Sequence, residues 1–156
     1  WKALPKIVFS GTLDEVVGNS RLAEKDIAEE VAAEAARCGY ETVGLTGTRW
    51  LVQSDVYPGK LSERGLRFVR PGAEQREEIN RIIFDELVYG IFKPEAVEYF
   101  QGVIRDMKAS DCQAVVLGCT EIPLIMNDQN SPLPTLDSTR LLARAALRRA
   151  TEKGAA

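Results

Sequence analysis

The sequence predicts an α/β fold: a three-layer α/β/α arrangement around a mostly parallel four-stranded sheet. Three observations carry that expectation. Runs such as Thr42 to Leu45 (TVGL) and Ala114 to Leu117 (AVVL) are apolar without alternation, the pattern of strands covered on both faces. Between such runs lie longer stretches with apolar residues three and four apart, the period of helices with one packed face. The connections are short and punctuated by Gly and Pro, as strand–helix–strand crossovers require.

At 156 residues the chain has the size of one domain with a sizeable core. It is 45% hydrophobic and 28% charged, and its formal net charge of −3 argues against a nucleic-acid surface. No apolar run approaches the roughly 20 residues of a membrane span. Trp1 to Ser10 is too short and too polar for a signal peptide, so a soluble cytoplasmic protein with no membrane partner is expected. The three cysteines, Cys38, Cys112 and Cys119, form no CxxC pair and cannot all pair off, which fits a reducing compartment. Histidine is absent from the sequence. That removes Ser-His-Asp and Cys-His catalysis and imidazole-ligated zinc, leaves proton chemistry to Cys, carboxylate, Lys or Tyr, and gives no reason to expect a metal site.

In chain order, Lys6 to Ser10 (KIVFS) reads as a strand followed by a polar, Gly-containing turn. From Ala23 a helix is expected: Ile27, Val31, Ala35 and Cys38 form its stripe, which makes Cys38 a small core residue, and Gly39 stops it. Thr42 to Leu45 is a short buried strand. The turn after it, Thr46 to Arg49, has two readings: small hydroxyl residues beside a glycine can converge on an anion, or Thr48 simply caps the next helix. Trp50 to Glu63 reads as a helix interrupted near Pro58 and Gly59. Its Lys60 meets a substrate carboxylate if it turns inward and is solvated if it does not. Leu66 to Val69 alternates as a strand. Ala73 to Tyr89 and Pro94 to Met107 are amphipathic helices, the second with proline in its first turn. Cys112 precedes the central strand as a packed or half-exposed neutral thiol. Pro132 to Leu136 is a last short strand. Asp137, Ser138 and Thr139 cap a final helix on which Arg140, Arg144 and Arg148 form a solvated face.

The stretch Ala114 to Leu124 (AVVLGCTEIPL) organises the rest. It reads as a buried parallel strand broken by Gly118, Cys119 and Thr120 before a short helix. That places a thiol at the carboxyl end of a central strand, the edge where open α/β sheets bind ligands. A helix N-terminus beside Cys119 favours its thiolate, which can serve as base or nucleophile.

Three motifs in order, GLTGT (Gly44 to Thr48), INRIIFDEL (Ile79 to Leu87) and GCTEIPL (Gly118 to Leu124), resemble the C-terminal half of the aspartate/glutamate racemase family, from about Ala36 to Ala150. The resemblance implies one half of a two-domain fold in which each domain brings one cysteine to a shared cleft, and it implies chemistry without a cofactor. One thiolate removes the α-proton and the opposite thiol returns one to the other face. By that resemblance Cys119 is the second catalytic cysteine and Thr120 and Glu121 line the site beside it. Thr46, Gly47 and Thr48 bind the substrate, and Lys60 falls near a basic position of the family.

The motif that holds the first cysteine in the family does not occur here. Instead Trp1 to about Val31, with WKALPK and VFSGTL, resembles a segment of the bacterial dihydrofolate-reductase-like family related to the riboflavin-pathway reductase domain. The expected division is therefore a reductase-like segment over 1–31 and a racemase-like α/β domain over 32–156. Expected activity is racemisation of an amino acid or dicarboxylate, weak or absent in the isolated chain, with a homodimer placing two copies of Cys119 across one cleft. A single-cysteine decarboxylase or isomerase of the same superfamily and a non-catalytic dicarboxylate binder are the alternatives.

Overall fold

The computed structural model describes residues 6–8, 20–22 and 27–152, the two short N-terminal strands by backbone alone. In chain order the elements are β1 (Lys6–Val8), β2 (Ser20–Leu22), α1 (Ile27–Arg37), β3 (Thr42–Thr46), α2 (Arg49–Gln53), α3 (Val56–Glu63), β4 (Arg67–Val69), α4 (Ala73–Asp85), α5 (Pro94–Ala109), β5 (Ala114–Leu117), β6 (Thr135–Asp137) and α6 (Ser138–Glu152). Single 3₁₀ turns occupy Leu87–Tyr89 and Ile122–Leu124. The main sheet has the order β4-β3-β5-β6 and all three ladders are parallel. β1 and β2 pair in parallel with each other, in a two-stranded ladder of their own. The turn expected after KIVFS lies outside the described residues.

Side-chain alternation on the two central strands divides the core into two layers. Val43, Leu45, Ala114 and Val116 face one way and pack with Ala28, Val31, Ala32 and Ala35 of α1 and with Tyr57 and Leu61 of α3. Val115 and Leu117 face the other way, into Ile79, Ile82 and Ile83 of α4 and Phe100, Ile104 and Met107 of α5. Burying each such Val, Leu or Ile stabilises the fold by about 1.5–3 kcal/mol, so the four-residue β5, buried along its whole length, is the axis of the domain. At Gly44 a methyl group would collide with the sulfur of Met107. The bare backbone there lets α5 lie close against the sheet.

Several boundaries differ from the sequence expectation, each for a local reason. Helix α1 ends at Arg37, so Cys38 sits in the turn beyond the buried stripe and is exposed, not a core residue. The stripe itself is Ala28, Val31, Ala32 and Ala35. The break between α2 and α3 falls at Ser54 and Asp55, not at Pro58. Pro58 is in the first turn of α3, where its missing N–H is tolerated. Ser54 ends α2 because its hydroxyl donates to Leu51 O at 2.8 Å, while the Arg70 guanidinium donates to Val52 O at 2.6 Å. Helix α4 stops at Asp85 and a 3₁₀ turn carries the chain to Gly90, whose φ of +71° suits glycine. The last strand is Thr135–Asp137, beyond both prolines. Asp137 caps α6 by accepting the Arg140 N–H at 3.0 Å. The arginine face of α6 is partly engaged: Arg148 pairs with Glu30 of α1 at 3.2 Å.

Candidate active site

Strands β3 and β5 are neighbours with Thr46 opposite Leu117, so both end at the same level and their following loops meet. Gly118 extends the ladder one step, donating its N–H to Thr46 O at 2.9 Å. A Cβ at Gly118 would lie 2.6 Å from Leu51 Cδ2 and 2.7 Å from Thr46 O, and one at Gly47 would lie 2.8 Å from the same Leu51 methyl. The two glycines therefore let the loops pack backbone to backbone beneath Leu51. The ring of Tyr57, itself buried, closes the floor at 3.6 Å from the same Gly118 position.

Two buried hydroxyls fix the end of β5. Thr46 Oγ1 donates to Val116 O and Ser138 Oγ donates to Leu117 O, each at 2.7 Å. Ser138 was expected only as part of a helix cap. Asp137 does the capping, which frees Ser138 to hold the strand that carries Cys119. Replacing Ser138 by alanine leaves a buried carbonyl short of a donor and is expected to destabilise the domain by about 1 kcal/mol. Thermal unfolding measures this, and an unchanged midpoint would remove the clip from the account.

Cys119 follows at the mouth of this junction, half-buried and packed against the apolar layer of α4 and α5. Its thiol donates to Glu121 Oε2 at 2.7 Å. Burial first, and the Glu121 carboxylate second, push the thiol pKa up to about 11. Glu121 is held below the usual carboxylate range by the hydrogen bonds it accepts from Cys119 and from the Thr120 hydroxyl. The expected thiolate is therefore corrected: the resting group is a thiol. The physical reason is burial first and the Glu121 carboxylate second: the chain after Cys119 makes one 3₁₀ turn and no α-helix, and the backbone N–H groups of Glu121 and Thr120, which favour the thiolate, do not offset them.

Of the other residues singled out in the sequence, Thr46, Gly47 and Thr48 lie on the loop beside Cys119, Thr120 and Glu121. Thr46 is buried with its hydroxyl proton engaged in the sheet. Thr48 caps α2, accepting the Leu51 N–H at 3.3 Å. Lys60 lies on α3, where its ammonium pairs with Glu63 at 3.0 Å. Asn80 was not anticipated: its side-chain oxygen accepts the Arg49 N–H at 3.0 Å and ties the Thr48 loop to α4. Asn80 stands inside the INRIIFDEL motif, where only the apolar stripe was read. Cys38 and Cys112 precede β3 and β5, so they lie at the amino edge of the sheet. Cys119 is at the carboxyl edge, and the intervening β5 spans roughly 13 Å at about 3.3 Å per residue. Cys112 is buried, and burial raises its pKa. Among the described residues no group of three or more cysteines and carboxylates could hold a metal ion, and no helix is long and apolar enough to cross a membrane.

The profile of the Asp/Glu/Hydantoin racemase family matches residues 13–146. That range takes in all three motifs and begins within the segment that resembles the reductase family. Among solved structures, a candidate Asp/Glu racemase from Yersinia pestis superposes with a TM-score of 0.78 at 33% identity, over 85% of this chain and 57% of its own. An aspartate racemase homologue from Pyrococcus horikoshii OT3 matches with a TM-score of 0.76 and 32% identity, over 86% and 58% of the two chains. Aspartate racemase from Picrophilus torridus gives a TM-score of 0.68 at 26% identity, over 86% and 55%. The chain thus spans little more than half the length of each of these structures. Its matched range, its three ordered motifs and its fully parallel four-stranded sheet lead to one assignment: the chain belongs to the Asp/Glu/Hydantoin racemase family.

Proposed function

We propose that the chain forms one wall of a cofactor-independent racemase site for an acidic amino acid, with Cys119 as an acid/base group. The observation that carries this reading is a half-exposed thiol on the loop that ends the central strand, in a member of a racemase family. Inversion at an α-carbon requires a proton to leave one face and another to arrive on the opposite face, so two groups must flank the substrate. Cys119 is one. Cys38 and Cys112, at the other edge of the sheet, cannot be the second. A homodimer with two Cys119 thiols across a shared cleft meets the requirement using the residues at hand.

In this arrangement the Thr48 and Thr120 hydroxyls and the Gly47 backbone N–H bind the substrate's polar groups. Lys60 reaches a side-chain carboxylate by leaving Glu63. Thr46 contributes from below by holding Val116. The unit that carries the site is taken as 32–156, with 1–31 a reductase-like segment sharing helix α1, and unpaired cysteines suit the cytosol.

A second reading is favoured by one specific observation. A lone thiol that rests protonated suits delivery of a proton to an enolate made by loss of carbon dioxide, as in a single-cysteine lyase. One experiment separates the readings: L-aspartate or L-glutamate is incubated with the full chain in deuterium oxide and followed by chiral chromatography, mass and carbon dioxide release. The expected result is slow formation of the D-isomer with α-deuterium, and specific activity that rises with protein concentration as dimers form. Carbon dioxide without racemisation favours the lyase. Micromolar binding of a dicarboxylate with no turnover leaves a binding protein.

A further inference from the structure

The Cys119–Glu121 contact has a role beyond lining the site. Glu121 was expected to line the substrate site beside Cys119; one of its oxygens accepts the Cys119 thiol at 2.7 Å and it also accepts the Thr120 hydroxyl. As an anion it repels the carboxylates of an acidic substrate. We propose that Glu121 is the positioning residue of Cys119: its carboxylate orients the S–H toward itself and favours the protonated thiol at rest over the thiolate that forms during turnover. The inference rests on the reading of Cys119 as the working group.

The step balances simply. One Cys119 of the pair acts from its minor thiolate form: it takes the α-proton, its S–H bond forming as the C–H bond breaks, and the opposite Cys119 S–H bond breaks as the new C–H bond forms on the other face. The S–H electron pair stays on sulfur, and the negative charge passes from carbon to thiolate. That thiolate lies beside the Glu121 carboxylate, and repulsion between the two anions makes it a stronger base. Cys119 therefore rests as the acid, and in the reverse direction abstracts a proton with more force than an isolated thiolate. The charge facing the sulfur is that of Glu121 on its own loop, while the layer packed against it from α4 and α5 is apolar.

The test needs no turnover. Alkylation of Cys119 by iodoacetamide is followed against pH, with each cysteine resolved by peptide mass, in the wild-type chain and in Glu121→Gln. The midpoint is read instead of the rate, because thiolate nucleophilicity falls as the pKa falls. In the wild type the midpoint is expected near 11. In Glu121→Gln it is expected about one pH unit lower, which is about tenfold more thiolate at pH 8, with the Cys38 profile unchanged. An unmoved Cys119 midpoint overturns the proposal.

Should Glu121→Gln fail to fold, the wild type decides. The S–H stretching band of Cys119, isolated as the difference from Cys119→Ser, is expected below that of a free thiol, and an unshifted band overturns the role. Because neither readout uses substrate, a lowered midpoint without racemisation sinks only the racemase reading. Racemisation with an unmoved midpoint sinks only the role of Glu121.

Discussion

Cys119→Ser is expected to lower any racemisation of L-aspartate or L-glutamate by about a thousandfold, within the range that a positioned acid/base group contributes. Serine preserves the size of the side chain and can still donate to Glu121, so folding should be retained. What it loses is acidity, since a hydroxyl gives up its proton far less readily than a thiol. Circular dichroism and thermal unfolding establish that the variant is folded, and chiral chromatography measures turnover. Cys38→Ser, at the opposite edge of the sheet and exposed, is expected to leave turnover unchanged. The reverse pattern, activity lost at Cys38 and kept at Cys119, would overturn the assignment of the site.

Gly118→Ala is expected to have the second large effect, on stability and turnover together. Its methyl group would meet the Leu51 side chain at 2.6 Å and Thr46 O at 2.7 Å. Leu51 can rotate aside, but the carbonyl cannot, because Gly118's own N–H is bonded to it at 2.9 Å. Relief requires the Cys119 loop to shift away from β3. Overpacking of this kind costs about 1–3 kcal/mol, and displacing a reacting group by about 1 Å can cost about a hundredfold in rate. Urea unfolding and steady-state kinetics report the two losses separately. A Gly118→Ala chain as stable and as active as the wild type would show that the loops are not held as described.

How much of this was legible in the sequence depends on the range of the interaction involved. The continuous apolar run Ala114 to Leu117 declared a strand buried on both faces, and it is the strand around which both layers pack. The starts of α4 after Pro71 and Gly72, and of α5 at Pro94, were equally visible, because helix initiation is governed by residues adjacent in the chain. The parallel four-stranded sheet followed from these local signals. The break at Ser54 was not legible, because Arg70 on the far end of β4 takes up the carbonyls where α2 ends. Cys38 was misplaced by a single residue: the stripe ran to Ala35, and one turn later the helix had ended.

The site shows the same division. Motif and topology placed Cys119 at the carboxyl edge from sequence alone. Its protonation was misjudged because that depends first on how deeply the sulfur is buried, then on where the Glu121 side chain folds back and on whether the next turn is α or 3₁₀, which neighbouring residue types do not decide. Ser138 and Asn80 act through contacts 21 and 31 residues away along the chain, and no local pattern marks them.

The two margins of the main sheet constrain how copies of the molecule can associate. β4 and β6 have three residues each. β4 is followed by Arg70 folded back on α2, and β6 lies between Pro134 and the first turn of α6. Neither margin has a run of free backbone long enough to recruit a strand from a neighbour, which protects the chain against edge-to-edge aggregation. Association of copies along the main sheet is thereby disfavoured, and the dimer proposed above would have to use helices and loops, with the carboxyl edge left open.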